Sequence, residues 1–355
     1  MSRFLSARSS RPVAIWLFAV AALVFLMVVI GGATRLTDSG LSITEWKPVS
    51  GAVPPLSEEA WAEEFARYRA IPEYRQVNRG MSLAEFKTIF WWEWAHRLLG
   101  RLIGLAFAVP FAWFLFRRQI PQRLVIPCAV LFGLGALQGA IGWWMVASGL
   151  VDRVDVLPER LTIHLGLALL IFVALLWTAL EALDDGERVR PPKGWGLASL
   201  ALLCLVYVQA LLGGLVAGND AGRLHTDWPF MDGRAFPAVD WTRGAAAFLH
   251  DTALVQFNHR LGAYALVAAV TIYAVQAFRD RVPDIVRASA AALAGVVWLQ
   301  AIVGIATLMN ATPLWLGVLH QIGALVVLAV ATFTVWRVRR SEQRLFSPGI
   351  RSRGR

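Results

Sequence analysis

The fold is decided by the stretch Glu93-Trp94-Ala95-His96-Arg97-Leu98-Leu99-Gly100-Arg101, which opens a long apolar run with a carboxylate, an imidazole and two guanidinium groups. The same order of residue types returns in the second half of the chain, at Gln256-Phe257-Asn258-His259-Arg260-Leu261-Gly262. Ionisable side chains inside a membrane are costly and usually functional, so each histidine is a candidate metal ligand. The change from Glu93 to Gln256 indicates two sites that do different work.

The composition is that of a membrane protein. Of the 355 residues, 57% are hydrophobic and 16% are charged, which is too apolar for an ordinary soluble domain. A membrane core of about 30 Å needs about 20 helical residues, and residues 13–33 contain no charge. The net charge of +10 comes from basic residues in short segments between apolar runs, as membrane topology requires, so no nucleic-acid partner is expected.

The apolar runs predict an all-α integral membrane protein with eight transmembrane helices. They cover about 13–33, 91–116, 124–147, 161–183, 195–217, 253–278, 287–309 and 314–337. The Arg-rich residues 1–12 resemble the start of a signal peptide, but the full-length run without an A-x-A-like site favours an uncleaved first helix. Cys128 and Cys204 lie inside predicted helices, which argues against a disulfide framework and a cysteine zinc site.

Alternation of the helices places most basic segments on one side of the membrane. They are the N-terminus, Arg117, Arg118, Arg123, the stretch 188–193, Arg279, Arg281, Arg287, Arg337, Arg339 and Arg340. By the positive-inside rule this side is cytoplasmic, with both termini inside. The opposite side receives two long outer loops, about 34–90 and 218–252.

The outer loops contain their own structural signals. Residues 57–69 open with a capping pattern, and 82–90 form a second amphipathic segment that leads into Trp91. The stretches Asp38-Ser39-Gly40 and Asp220-Ala221-Gly222 are typical of turns. His225 and His250 have no counterpart in the other half and are interpreted as solvated loop residues.

Matching residues in the same order predict two repeated four-helix halves, residues 1–185 and 186–355. The pairs are Gly31-Gly32 with Gly213-Gly214, Thr44-Glu45-Trp46 with Thr226-Asp227-Trp228, His96-Arg97-Leu98 with His259-Arg260-Leu261, Leu137-Gln138 with Leu299-Gln300, and His164 with His320. An even number of helices in each half makes the repeats parallel.

Four histidines lie near the outer ends of predicted helices, two in each half: His96, His164, His259 and His320. Two neutral imidazoles on facing helices are the donor set of axial haem ligation. Zinc usually has a third or fourth strong ligand, and copper usually has thiolate or thioether ligands, so both metals are less suited. A structural role, as polar residues between helices, is the alternative.

Charged neighbours of these histidines suggest a division of labour. Arg97 and Arg260 can meet haem propionates, although Arg97 is also spaced to pair with Glu93. Glu93 lies three residues before His96 and is a candidate acid/base or charge stabiliser, or else a helix-start residue favoured by the dipole. Gln256 cannot carry charge. The first half is therefore interpreted as the site of chemistry and the second as a cofactor site.

Three stretches together resemble the heme A synthases, which oxidise a methyl group of heme O to the formyl group of heme A for cytochrome oxidase. They are Gly31-Gly32-Ala33-Thr34-Arg35-Leu36-Thr37-Asp38-Ser39-Gly40-Leu41-Ser42, the run from Glu85-Phe86-Lys87 to Glu93-Trp94-Ala95-His96-Arg97, and Phe257-Asn258-His259-Arg260. The resemblance covers nearly the whole chain. Without paired cysteines in its outer loops, the chain looks like the branch found in proteobacteria and mitochondria.

The resemblance implies specific roles for these residues. His96, His164 and Arg97 bind the substrate haem, His259, His320 and Arg260 bind a haem b cofactor, and Glu93 is catalytic. Two successive hydroxylations would give the formyl group, either by oxygenation or by electron removal and attack of water. The implied setting is a bacterial inner membrane with haem sites near the periplasmic side. The implied partners are the lipid bilayer, a heme O synthase and an electron donor, with a homo-oligomer as an option.

Two other classes of protein remain as alternatives. A two-haem cytochrome b-like electron carrier would use the same four histidines, but such a conduit has no need of Glu93 at one site. A transporter built from repeats would be expected to carry charged groups near the midplane of the membrane, which this sequence lacks.

Overall fold

The chain is all-helical where the structure, a computed structural model, describes it: residues 10–183, 193–280 and 282–342, with side chains described as far as residue 339. The helices are α1 Arg11–Leu36, α2 Glu58–Arg69, α3 Pro72–Gln76, α4 Leu83–Phe116, α5 Gln122–Val146, α6 Pro158–Leu183, α7 Trp195–Gly218, α8 Ala247–His250, α9 Thr252–Arg279, α10 Asp284–Met309 and α11 Leu314–Glu342. The basic residues at 188–190, Arg281 and the first nine residues lie outside the described residues.

Within the described residues, eight helices are long and apolar enough to cross a membrane, as predicted: α1, α4, α5, α6, α7, α9, α10 and α11. Their outward faces carry exposed apolar side chains, for example Leu105, Val109 and Phe116 on α4. A helix facing water would be polar there, so these faces suit lipid. The two cysteines are unpaired, as expected.

Helix α4 begins earlier than its apolar run predicts. Ser82 accepts a hydrogen bond from the Glu85 backbone N–H, and the Glu85 carboxylate accepts one from the Ser82 N–H, which is a capping box. The segment 82–90 is therefore the first part of α4 rather than a separate element. His96 consequently lies well beyond the first turn of its helix.

The long helices pack as two rings of four. In the first half, α1 contacts α4 and α6, and α5 contacts α4 and α6; in the second half, α7 contacts α9 and α11, and α10 contacts α9 and α11. The rings meet where α6 contacts α7 and α11, and where α1 contacts α11. Buried residues of α1, α6, α7 and α11, such as Leu17, Leu175, Val206 and Leu328, form one continuous core.

The two turns predicted after α1 and α7 are present and connect the halves. Asp38 and Asp220 both have φ of +50°, a left-handed conformation that ends each helix. Arg35 at the end of α1 bonds Asp38 at 2.8 Å and Asp220, from the other half, at 2.5 Å. An ionic cluster thus joins the rings at the end that carries the outer loops.

The first outer loop, between α1 and α4, has a small core of its own. Its helix α2 begins as predicted, with the Ser57 hydroxyl accepting a hydrogen bond from the Ala60 N–H. Trp61 and Tyr68 of α2 are buried against Phe86 and Phe90 of α4. The loop is therefore a folded cap over the outer end of the first half.

Glu73 of α3 is buried in this cap at 6% exposure, and its Oε2 has no hydrogen-bond partner among the described residues. Burial, followed by the negative charges of Glu93, Asp155 and Asp38, raises the pKa of Glu73 to about 8. The unfolded chain loses this proton near the ordinary value of 4.5. Between those two values the folded protein holds the extra proton, so folding stability decreases as pH rises.

We expect thermal stability to fall as pH rises from about 5 to about 8, by up to about 1.4 kcal/mol per pH unit from this group. Glu73→Gln should remove that part of the pH dependence. The measurement is the melting temperature of purified protein in detergent, followed by tryptophan fluorescence. Glu63→Gln, at an exposed position of α2, is the control. An unchanged pH profile in Glu73→Gln would contradict the buried neutral carboxyl.

Candidate functional site

Each of the four predicted histidines packs against a glycine on a neighbouring helix. The pairs are His96 with Gly31, His164 with Gly142, His259 with Gly213, and His320 with Gly304. A Cβ atom at these glycines would lie only 2.8 to 3.2 Å from the imidazole. The missing side chain thus lets each ring lie directly on the partner backbone. The same device is used at all four positions.

The rings of the second-half pair, His259 on α9 and His320 on α11, are nearly perpendicular to each other. The two ring centres are 6.3 Å apart and the ring planes meet at 86°. A metal–imidazole bond of about 2 Å, with the ring centre about 1 Å further, places two axial rings roughly 6 Å apart on one iron. The separation of the ring centres therefore leaves room for one metal ion between the two imidazoles.

The first-half pair, His96 on α4 and His164 on α6, is brought together by the same packing. His96 packs on Gly31 of α1 and His164 on Gly142 of α5, and α1 and α5 each contact both α4 and α6. Arg97, next to His96, lies 5.8 Å from the ring centre of Trp143, which adjoins the glycine that contacts His164. Among the residues that the structure describes, no three His, Cys, Asp or Glu side chains converge on one point. Each half thus offers a pair of imidazoles.

Glu93 is buried at 3% exposure and its carboxylate accepts four hydrogen bonds. The Ser42 hydroxyl and the Ile43 N–H donate to Oε2 at 2.7 and 2.8 Å. Arg97 donates to Oε1 through Nε at 3.0 Å and Nη2 at 2.6 Å. The predicted pair with Arg97 is therefore present, and the carboxylate also fastens the first outer loop to α4.

Gln256 holds the second outer loop at the corresponding position, but it donates hydrogen bonds to the loop where Glu93 accepts them. Its Nε2 donates to the backbone oxygens of Ala221 and Leu224 at 2.7 and 2.6 Å, and its Oε1 accepts from Arg260 at 2.9 Å. A carboxylate could not make the first two bonds because it has no hydrogen to donate. The Glu/Gln difference thus matches the loop atoms that each side chain meets: donors in the first half, and acceptors in the second.

Arg97 and Arg260 use most of their donors on these loops. Arg97 also bonds the backbone oxygens of Ile43 and Glu45, and Arg260 bonds those of His225, Asp227 and Phe230. Arg260 is 8% exposed, and its Nε has no partner among the described residues. One N–H of Arg260 is therefore left over for an anionic group.

The two loop histidines lie outside the imidazole pairs. His225 Nδ1 lies 2.7 Å from Asp232, and its backbone oxygen accepts from Arg260. His250 lies 3.9 Å from Glu159 at the start of α6. Both side chains are partly buried rather than fully solvated.

Three glutamines next to the imidazoles were not predicted as site residues. They are Gln138, Gln209 and Gln300, each one helical turn before the glycine that faces a histidine. The sequence matching used Gln138 and Gln300 only as repeat markers. The spacing Q-x-x-x-G, found at each of these places in the sequence, is the signal that could have identified them.

Comparison with known proteins gives one consistent family. A family model described as cytochrome oxidase assembly protein matches residues 14–332. The heme A synthase of Caulobacter sp. (strain K31) is 58% identical over 342 residues, covering 96% of this chain and all of that protein. That of Caulobacter vibrioides is 57% identical with the same coverage. That of Rhodopseudomonas palustris (strain BisA53) is 49% identical over 347 residues, covering 94% of this chain and 92% of that protein.

Proposed function

The chain belongs to the heme A synthase family, and from this premise we propose that it is a membrane oxidoreductase that converts heme O to heme A for cytochrome oxidase. The change is oxidation of one methyl group of the substrate to a formyl group through successive hydroxylation. The structural observation that carries the proposal is the pair of matched imidazole sites, of which only the first has a buried carboxylate beside it.

We propose that the second half holds a haem b cofactor between His259 and His320. Their 6.3 Å separation supports this assignment. When bound, the haem would supply one-electron transfer to the reaction. Arg260, with its remaining Nε–H, would meet a carboxylate of the same group.

The first half is proposed as the substrate site, with His96 and His164 on either side of heme O and Arg97 beside it. Each hydroxylation by electron removal takes its oxygen from water and releases two protons and two electrons to an acceptor, whereas oxygenation uses O2 with two protons and two electrons from a donor. On both routes protons move at the substrate, so a group that holds a proton is needed there. Glu93 Oε2, with the Ser42 hydroxyl at 2.7 Å, is the proposed proton holder. Arg97 orients the carboxylate through its two hydrogen bonds to Oε1, which leave Oε2 toward Ser42.

We also propose that residues 1–185 and 186–355 are a duplicated four-helix unit. The two rings of helices support this, since exchanging α1 with α7 and α6 with α11 converts the contact α6–α7 into α11–α1. Such an exchange corresponds to a twofold axis along the membrane normal. The imidazole pairs would then lie at equal depth in the membrane.

The proposed location is a bacterial inner membrane, with both termini in the cytoplasm and the haem sites toward the periplasm. Arg117, Arg118 and Arg123 at the α4–α5 connection, and Arg279 and Arg287 at the α9–α10 connection, support this orientation. The proposed partners are a heme O synthase and an electron donor, and a homo-oligomer is compatible with the exposed apolar faces.

Glu93→Gln tests the proton-holding role. Glutamine keeps the volume of the side chain but cannot take up or release a proton. Heme A formation should therefore fall roughly a hundredfold, while haem b content stays normal. The measurement is chromatography of haems from cells carrying the variant as their only copy, in which heme O should accumulate.

Protease sensitivity of the first outer loop separates this role from loop fastening. Normal heme A at normal protein level would contradict the role of Glu93. Loss of haem b together with a newly cleavable loop would assign Glu93 to fastening alone.

His259→Ala and His320→Ala should each remove one axial ligand and lower haem b content several-fold, with the protein still inserted in the membrane. The measurement is the reduced-minus-oxidised spectrum of purified protein at equal protein concentration. His225→Ala, which changes a loop histidine outside the pairs, is the matched control. Unchanged haem b spectra in both variants would contradict the cofactor site.

Single cysteines test the orientation in a Cys204→Ala background. Glu58→Cys and Ala235→Cys, in exposed positions of the two outer loops, should react with an impermeant maleimide in intact spheroplasts. Gln119→Cys, between α4 and α5, should react only after lysis. The reverse pattern would place the imidazole pairs on the cytoplasmic side.

A further inference from the structure

Three glutamines contact three of the four histidines at the ring Nδ1 and the backbone oxygen, and Gln138 Nε2 lies in addition 3.4 Å from His164 Nε2. In each case the glutamine Nε2 lies near the ring Nδ1 and also donates to the backbone oxygen of the same histidine. The distances are 3.2 and 3.0 Å for Gln138 with His164, 3.0 and 2.9 Å for Gln209 with His259, and 3.0 and 2.8 Å for Gln300 with His320. Two bonds to one residue fix both the helix and the ring plane.

The other end of each amide is without a partner. The Oε1 atoms of Gln138, Gln209 and Gln300 are buried and accept no hydrogen bond among the described residues. An imidazole that binds metal through Nε2 carries its proton on Nδ1 and needs an acceptor there. A half-rotation of the amide brings Oε1 to that proton in place of Nε2 and gives up the bond to the backbone oxygen, so in the ligating form the glutamine holds the ring through Nδ1.

Small residues on the histidine helices make room for two of these amides. A Cβ atom at Gly262 would collide with Gln209 Oε1, and one at Gly323 would collide with Gln300 Oε1. Both glycines lie three residues after the histidine that the glutamine contacts. The glutamine and the glycine are therefore parts of one arrangement.

His96 has a different neighbour. One turn before Gly31, where the other three helices carry glutamine, α1 carries Met27. Three residues further on, His96 and His164 both have a leucine, Leu99 and Leu167, so Met27 is the residue that sets His96 apart. The Met27 methyl packs at Gly100, where an added Cβ would lie 3.2 Å away. A thioether has no hydrogen to donate and is only a weak acceptor. Within the described residues, the His96 imidazole has no hydrogen bond to a glutamine.

We propose that Gln138, Gln209 and Gln300 are positioning residues that hold His164, His259 and His320 in the ring orientation for metal ligation, and that His96, with Met27 at the place of the glutamine, is the exchangeable ligand. The inference rests on the proposed function, because it takes the four histidines as haem ligands. It distinguishes a permanently held cofactor pair from a substrate pair with one held and one released ring.

This asymmetry suits the different tasks of the two halves. A cofactor stays bound, so both of its ligands are held. A substrate must arrive and its product must leave, so one ligand has to let go in every turnover. Ordering a ring before binding lowers the cost of ligation and slows release, and leaving it free does the reverse.

The first test exchanges the surroundings of His259 for those of His96. Gln209→Met with Gly262→Leu should speed transfer of haem b from the purified full-length protein to apomyoglobin by about 10–100-fold. Gln276→Met, at an exposed position of the same helix as His259, is the matched control and should leave the transfer rate unchanged.

The second test separates ligand positioning from packing. Gln209→Glu keeps the size and supplies a stronger acceptor for the Nδ1 proton, so haem b should be retained with a more negative midpoint potential. A residue that only filled space would leave the potential where it was. In the first half, Met27→Gln with Leu99→Gly should slow the release of heme O and heme A to apomyoglobin.

The outcomes also separate this inference from the proposed function. If His259→Ala loses haem b while the Gln209 variants keep the wild-type transfer rate and potential, the positioning role is overturned and the haem site stands. If His259→Ala itself keeps haem b, the proposed function fails first. If Met27→Gln with Leu99→Gly leaves haem release unchanged, the exchangeable role of His96 is overturned.

Discussion

Close approach of helices at a glycine is the constraint on which the site depends. Gly31, Gly142, Gly213 and Gly304 each leave an imidazole in contact with a neighbouring helix backbone. A single methyl group at any of them would push the ring away, because helix cores have no free volume to absorb the shift. The ring packing of four helices then brings the imidazoles together in pairs. The positions of the four imidazoles are thus set by the packing of the helices rather than by the loops.

Each outer loop is attached to the helices by a network of hydrogen bonds, and the two networks occupy matching positions. Glu93 with Arg97, and Gln256 with Arg260, each tie a loop backbone to the helix that carries a histidine. The side chain in each network matches the loop atoms that it contacts: Glu93 accepts from loop donors, and Gln256 donates to loop acceptors. The substitution of Gln256 for Glu93 at the matching position therefore follows from the donors and acceptors of each loop.

The helices and most of the candidate site residues were predictable from the sequence. Apolar run length gives the eight helices, and the repeated histidines and Glu93 stand out because such groups are costly in a membrane. The two hydrogen-bond networks were not predictable, because they depend on the positions of loop backbone oxygens such as those of Ala221 and Leu224. The burial of Glu73 was missed for a similar reason: a five-residue helix leaves no periodic signal, and its surroundings come from distant parts of the chain.

The unbroken course of α4 from its capping box has a mechanical consequence. At about 1.5 Å per residue, its 34 residues form a rod of roughly 50 Å, and His96 is fixed in its outer half. The folded cap is attached to the outermost turns of the same rod through Trp61 and Tyr68. A tilt of the cap would therefore tilt α4 as one rigid helix. His96 would move relative to His164, while the four helices of the other ring would stay in place.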